Sequence, residues 1–328
     1  MSPRTTSIAL LTSARAMQTA VHGLSEMFGL ANRLCHESEV DHCFSICQFD
    51  IQDMPEPGDD GPGFAAVLIP PLLDDSPELP VDPRLLSWLR NQHARGALLC
   101  SVCAGAFILA QTGLLDHRPV TTHWMLGERL QQCYPAIDLK SERMLICDSE
   151  IITAGGLMAW IDLGLELVAR YAGPGVVREL GRLLVIDTGG REQRYYRRFL
   201  PRLDHGDAAV LKAQQLLHAG YAEPVPVTVL ARAVHLTERT LLRRFVKATG
   251  LRPHEYLQRL RVDRVCDRLE ETRNSFESIA ASVGYRDASA CRKTFIKVTG
   301  LTPAAYRRRF APPDLKAGAR SVAFPVDP

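Results

Sequence analysis

At 328 residues the chain has room for two domains of about 150 residues each. A composition of 46% hydrophobic and 23% charged residues excludes a disordered or fibrous protein as a whole. The formal net charge of +2 is an average that speaks against nucleic acid. It conceals a division: residues 1–206 carry 18 basic and 25 acidic side chains, and residues 207–310 carry 19 and 10. A basic block behind a longer acidic one is the asymmetry of an anion-binding module joined to something else.

The first twelve residues hold one Arg and a short apolar run from Ile8 to Leu11, too short for a secretory core. No later apolar stretch approaches about 18 residues, so a cytoplasmic chain without a membrane span is expected. Nine scattered cysteines, an odd number, fit a reduced chain better than a disulfide framework.

In the acidic block, strand and helix patterns alternate. Ser7–Thr12 reads as a strand, Gln18–Leu34 as an amphipathic helix and His42–Phe49 as a strand. Phe64–Ile69 is a buried strand, Asp82–Ala94 a helix capped by Asp82, Ala97–Val102 a strand and Ala104–Gly113 a helix. Then come a helix over Thr122–Gln132, a hairpin across Leu139–Thr153, and helices over Leu157–Tyr171 and Gly175–Val185. Such alternation predicts an open, mostly parallel sheet covered on both faces, with ligands beyond the carboxyl ends of the strands. Cys103 falls at such an end, where the following helix N-terminus favours thiolate; a small buried residue at a tight turn is the competing reading. Cys43 and Cys47 share one strand face and read as packing. The pair Cys100 and Cys103 has no second pair to complete a tetrahedral site, so no metal is expected.

Residues 191–206, including the run REQRYYRRF, read as a linker. Behind it lies an internal repeat. TERTLLRRFVKATGLRPHEY, from Thr237 to Tyr256, returns fifty residues later as DASACRKTFIKVTGLTPAAY, from Asp287 to Tyr306. Each copy has the grammar of a helix-turn-helix: a short apolar helix, a turn, an N-cap (Thr237 or Asp287) and a second helix with apolar residues four apart. Gly250 and Gly300 suit the left-handed C′ position, and Pro253 and Pro303 open the next helix. An amphipathic helix from Pro253 to Glu271 holds the two copies at a fixed separation, as entry into successive major grooves requires. Arg239, Leu242 and Arg243, then Ala288, Ser289, Arg292 and Lys293, point away from the apolar faces and are the candidate base readers. Lys247, Lys297 and Arg307 are suited to phosphate oxygens. Residues 311–328, with four prolines and no periodicity, read as a disordered tail.

Residues 207–310 resemble the AraC/XylS family of bacterial transcriptional regulators, on the phrases AxxxxLTxRTLxRRF (Ala231–Phe245), TGLxPxxY and YRRRF. The resemblance implies a two-lobed DNA-binding domain with helix-turn-helix motifs at 227–248 and 276–299 that reads double-stranded promoter DNA. The expectation for the whole chain is an activator with RNA polymerase as a partner, a homodimer formed through the N-terminal domain. The second copy departs from the family pattern at Ala290 and Cys291.

Residues 5–190 resemble the amidotransferase-like, intracellular protease/amidase superfamily, on SVCAGAFILAQTGLLDHRPVTTHW (Ser101–Trp124) and ITAGGLMAWIDLGLELV (Ile152–Val168). That resemblance implies a flavodoxin-like α/β sandwich with Cys103 in the nucleophile position and Glu26 in the acidic position beside it. Two departures disfavour chemistry. Ala104 stands where amide hydrolases of this superfamily have His, and Pro70-Pro71 stands where they tend to have Gly-Gly with free N–H groups. The expectation is a sensor without catalytic residue, cofactor or metal, whose small-molecule effector lies near Glu26, Cys103, His123 and Trp124. A cysteine-dependent amidase, with Cys103 as nucleophile and an accessory DNA-binding domain, stays open as the alternative.

Overall fold

The computed structural model describes residues 3–53, 63–73 and 80–313. The chain divides into two compact units, Met1–Arg194 and Tyr195–Pro328, and each is described by itself.

The first unit alternates strand and helix: β1 (Arg4–Thr12), α1 (Gln18–Glu37), β2 (His42–Asp50), β3 (Ala66–Ile69), α2 (Pro83–Ala94), β4 (Leu98–Val102) and α3 (Gly105–Gln111). The short β5 (Pro119–Val120), α4 (Gly127–Cys133) and β6 (Asp138–Leu139) follow, then β7 (Leu145–Asp148), β8 (Ile151–Ala154), α5 (Trp160–Ala172) and α6 (Pro174–Leu184). The six-stranded sheet has the order β2-β1-β3-β4-β8-β7. Its pairs are parallel except β7 with β8, which forms the expected hairpin in a narrower span. Strands β3 and β4 are buried at every residue, and so they read as unbroken apolar runs rather than alternating ones. Asp82 caps α2 by accepting from the Arg84 N–H at 2.8 Å. The helix expected from Thr122 begins only at Gly127, because residues 121–124 are drawn into side-chain hydrogen bonds described below.

The second unit is helical: α7 (Ala208–Ala219), α8 (Val227–Ala233), α9 (Glu238–Thr249), α10 (Pro253–Glu271), α11 (Phe276–Ser282), α12 (Ala288–Thr299) and α13 (Pro303–Phe310). It has two cores. Leu230, Leu241, Phe245 and Tyr256 centre the first, and Val265, Ile279, Cys291, Phe295 and Tyr306 centre the second. The two copies are thus two lobes, and α10 supplies side chains to both. Gly250 and Gly300 are left-handed, at φ 71° and 75°, where any Cβ would be strained.

Residues 191–206, expected as a linker, are packed in part within one unit or the other. Arg191 pairs with Asp162 (Nε to Oδ1 3.2 Å) and Gln193 is buried, both within the first unit. In the second unit Arg198 meets three carboxylates of α10, donating to Asp263 at 2.8 Å and reaching Asp267 and Glu270 as well. Phe199 packs edge-on against Tyr256, with ring centroids 4.9 Å apart. Several charged and aromatic side chains of this segment thus have partners within their own unit. The expected disordered tail lies, from Asp314 onward, outside the described residues.

Candidate nucleic-acid interface and strand-end elbow

The N-cap of α9 is Thr237, whose hydroxyl accepts from the Thr240 N–H at 3.3 Å; that of α12 is Asp287, which accepts from Ser289 and Ala290 at 2.8 and 3.2 Å. Both caps aim the first turn of the second helix outward. Leu241 and Phe245, or Cys291 and Phe295, anchor the opposite face at zero exposure. Arg239, Arg243, Lys247, Ser289, Lys293 and Lys297 are consequently exposed, and Leu242 is half-buried. Among the described residues, none of Arg239, Arg243, Lys247, Lys293 and Lys297 is held in an ion pair. Their charges remain available to an anionic partner.

Three expected contacts have other neighbours. Arg307, expected on a phosphate, donates to the carbonyls of Leu269 (3.3 Å) and Asn274 (2.6 Å). The Leu269 carbonyl, in the last turn of α10, lacks an intrahelical donor, and this guanidinium satisfies it while also holding the Asn274 carbonyl three residues past the helix. Ala288 is half-buried against the second core, so its methyl is partly withdrawn from the reading face. Arg292 stays exposed but is drawn to Glu277 (3.2 Å) and lies 5.1 Å from the centroid of the Phe276 ring. The adjacent arginines Arg243 and Arg244 differ sharply: Arg244 forks onto Asp207, the N-cap of α7, at 2.6 and 2.8 Å.

In the first unit Cys103 sits between β4 and α3 with φ 55°, a left-handed backbone rare for a residue with a Cβ. Its N–H donates to the Ala154 carbonyl at 2.8 Å, and the Thr122 hydroxyl donates to its carbonyl at 2.7 Å. Gly105 is needed here because a Cβ would lie 2.9 Å from the Pro70 carbonyl oxygen. The side chain is 2% exposed, and burial raises the thiol pKa to about 12. Backbone hydrogen bonds from Ala104 and His123 to the sulfur pull the other way without prevailing. Cys103 is a thiol, not a thiolate, at neutral pH.

His123 thus reaches Cys103 through its backbone. Its imidazole Nδ1 accepts from the Met125 N–H at 3.2 Å, the ring stacks on Trp124 at 5.7 Å, and burial lowers its pKa. The Nδ1 lone pair is therefore already engaged within the loop. Glu26, expected beside Cys103, is exposed on α1. The buried stripe of that helix runs through Ala20, Val21, Leu24, Met27, Phe28 and Ala31, and Glu26 lies off it. It also stands eight residues, about 12 Å, beyond the end of α1 that follows β1. Cys103, His123 and Trp124 are joined through the His123 backbone and the ring stacking, while Glu26 stands exposed on α1.

Two features add to what the sequence named: the lining of a cavity at the expected strand ends, and a buried glutamine. An open cavity of about 330 Å³ lies at the carboxyl ends of β1 and β2, lined by Ser13, Arg15, Ile51, Val81, Asp82 and Leu85 among others. None of the four expected effector residues lines it. The second feature is Gln193, whose side chain hydrogen-bonds to the loop 121–124. Among the described residues no group of three or more His, Cys, Asp or Glu side chains is placed to hold a metal, and no helix is long and apolar enough to cross a membrane.

Comparison with known proteins places both regions. Residues 230–309 match the helix-turn-helix domain family, and residues 63–170 match the DJ-1/PfpI family. The chain is similar to the HTH-type transcriptional regulator CdhR of Pseudomonas aeruginosa, at 29% identity over 242 residues, 70% of this chain and 66% of that protein. It is similar to the regulator GbdR of the same species at 26% identity, over 66% of this chain and 59% of that one. The chain therefore spans less than two thirds of the length of these two regulators. An isonitrile hydratase of Pseudomonas putida is 34% identical over 92 residues, 28% of this chain and 39% of its own. The motifs, the two lobes and these matches agree: the chain joins an AraC-type helix-turn-helix domain to a flavodoxin-like domain of the DJ-1/PfpI family.

Proposed function

We propose that the chain is a sequence-specific transcriptional regulator, an activator, whose residues 207–310 bind double-stranded promoter DNA. The observation that carries this reading is the pair of second helices, α9 and α12. Each is N-capped and presents exposed basic side chains, Arg239, Arg243 and Lys247 on one and Lys293 and Lys297 on the other, that no ion pair holds among the described residues. The phosphate contacts fall to Lys247 and Lys297, and base reading to Arg239, Leu242, Arg243, Ser289, Arg292 and Lys293. Likeness to named HTH-type regulators supports the same reading. Selection of duplexes from a random pool by the full chain tests it. Recovery of a shared sequence, bound with an affinity that falls steeply with salt, is the expected result; an unselective pool would remove the proposal.

The first unit, in this reading, senses a small molecule and takes no part in catalysis, and the protein works in the cytoplasm as a homodimer that contacts RNA polymerase. The buried thiol, Ala104 beside it and the N–H-less Pro70-Pro71 support a non-catalytic elbow. A second reading, a cysteine-dependent hydrolase, draws on the left-handed Cys103 backbone and on the hydratase relative. Thiol-dependent turnover abolished by Cys103→Ser would favour it. Promoter regulation that survives this change would favour the sensor.

A further inference from the structure

Gln193 is a polar side chain 1% exposed, two positions before the second unit begins. Its Nε2 faces three acceptors: the Thr122 carbonyl at 2.8 Å, the Arg143 carbonyl at 2.9 Å and Thr121 Oγ1 at 3.0 Å. Its Oε1 accepts from the Trp124 N–H at 3.0 Å. Gly155, just past β8, leaves the room for it: a Cβ there would lie 1.9 Å from Nε2. A niche with acceptors for both amide hydrogens and a donor for the carbonyl reads one chemical group, the primary carboxamide.

The niche is continuous with the elbow. The Thr122 hydroxyl donates to the Cys103 carbonyl, and the Thr121 N–H donates to Thr153 Oγ1 on β8 at 2.9 Å. On the other side, Arg198, five residues after Gln193, is bound to α10 within the second unit. A half-withdrawn amide would leave the Trp124 N–H without its acceptor and the Thr122 carbonyl without its nearest donor. Such partial states are costly away from water, so the side chain is either seated or out.

We infer that Gln193 is the coupling residue of this regulator: a tethered carboxamide seated on the 121–124 loop, through which the state of the elbow is passed to the connection. The inference rests on the regulator reading above. It makes Gln193 a positioning residue, acting on DNA through the segment that follows it.

The test uses the full chain and duplexes selected by the wild-type protein. Gln193→Ala removes the CH2–CONH2 group, and acetamide supplies it back. Trypsin cleavage within the arginine-rich segment 191–198 should quicken about tenfold as the open population grows. Affinity for the selected duplex should change about fivefold or more, the scale of an allosteric coupling. Acetamide, but not acetate, should reverse both. Should the alanine variant fail to fold, Gln193→Glu keeps the size and replaces both donors by lone pairs, with the same two changes expected. Affinity within about twofold of wild type in a folded variant overturns the coupling role, since that is below the usual range of coupling factors. If the wild-type chain selects no duplex, the regulator reading fails first and takes this inference with it.

Discussion

The two helix-turn-helix lobes have one design and two surfaces. Both end their second helix with a left-handed glycine, and both start it with a side-chain cap. Phe245 in one core occupies the place of Phe295 in the other. They differ in what lies around that frame. Among the described residues the first lobe leaves Arg239 and Arg243 outside any ion pair, whereas the second turns Arg292 back onto Glu277 and Phe276. The second core also contains two thiols, Cys266 and Cys291, where the first has none. A duplicated unit keeps its backbone grammar because the turn and caps depend on it; the outward face is free to diverge.

Deleting a core ring should have the largest effect. Phe245→Ala and Phe295→Ala should each cost about 3–5 kcal/mol, measured by denaturant unfolding. If each loosens only its own lobe, by hydrogen exchange, the lobes are separate cooperative units; a uniform loss would join them. Next, Arg243→Ala should weaken the selected duplex by about 1–3 kcal/mol, and more than it weakens random DNA. Arg292→Ala should cost less, because this guanidinium first has to leave Glu277. An equal loss in binding titrations would erase this difference between the lobes.

High pH should separate the lobes further. Burial raises the pKa of Cys291 to about 11 and of Cys266 to about 12, from an ordinary value near 9. Between those values the unfolded chain has released protons that the folded chain retains, so stability falls as pH rises from about 9. In the first lobe the buried group is Tyr256, pushed by burial from 10 to about 12, and its weakening should begin a unit later. Hydrogen exchange of α9 and α12 across this range measures the order of loss. Smallest are the caps. Thr237→Ala should cost about 1 kcal/mol, and Asp287→Ala somewhat more because it strands two N–H groups instead of one. Thermal unfolding checks both.

Much of this architecture is legible in the amino-acid order. Caps, glycines and apolar periodicity are local rules, and they place α9, α12 and the strands within a few residues. The Cys103 elbow follows from strand–helix alternation. Gln193 is not legible: its partners lie 50 to 72 residues away, and a lone Gln within a basic, aromatic run carries no local signal. The same holds for Arg307, whose role depends on where α10 ends. Glu26 is a different case. Its place off the buried stripe of α1 can be read from periodicity alone, and resemblance points the other way.

The triple carboxylate around Arg198 has a practical side for anyone dissecting the chain. A fragment cut at Asp207, where the basic block begins, discards Arg198 and Phe199 and leaves Asp263, Asp267 and Glu270 without that cation. Mutual repulsion along α10 would then loosen the rod on which both lobes are mounted, and a DNA-binding assay on that fragment would undervalue the protein. Starting at Tyr195 retains Arg198 and Phe199, together with the tyrosine pair that stacks on Arg309.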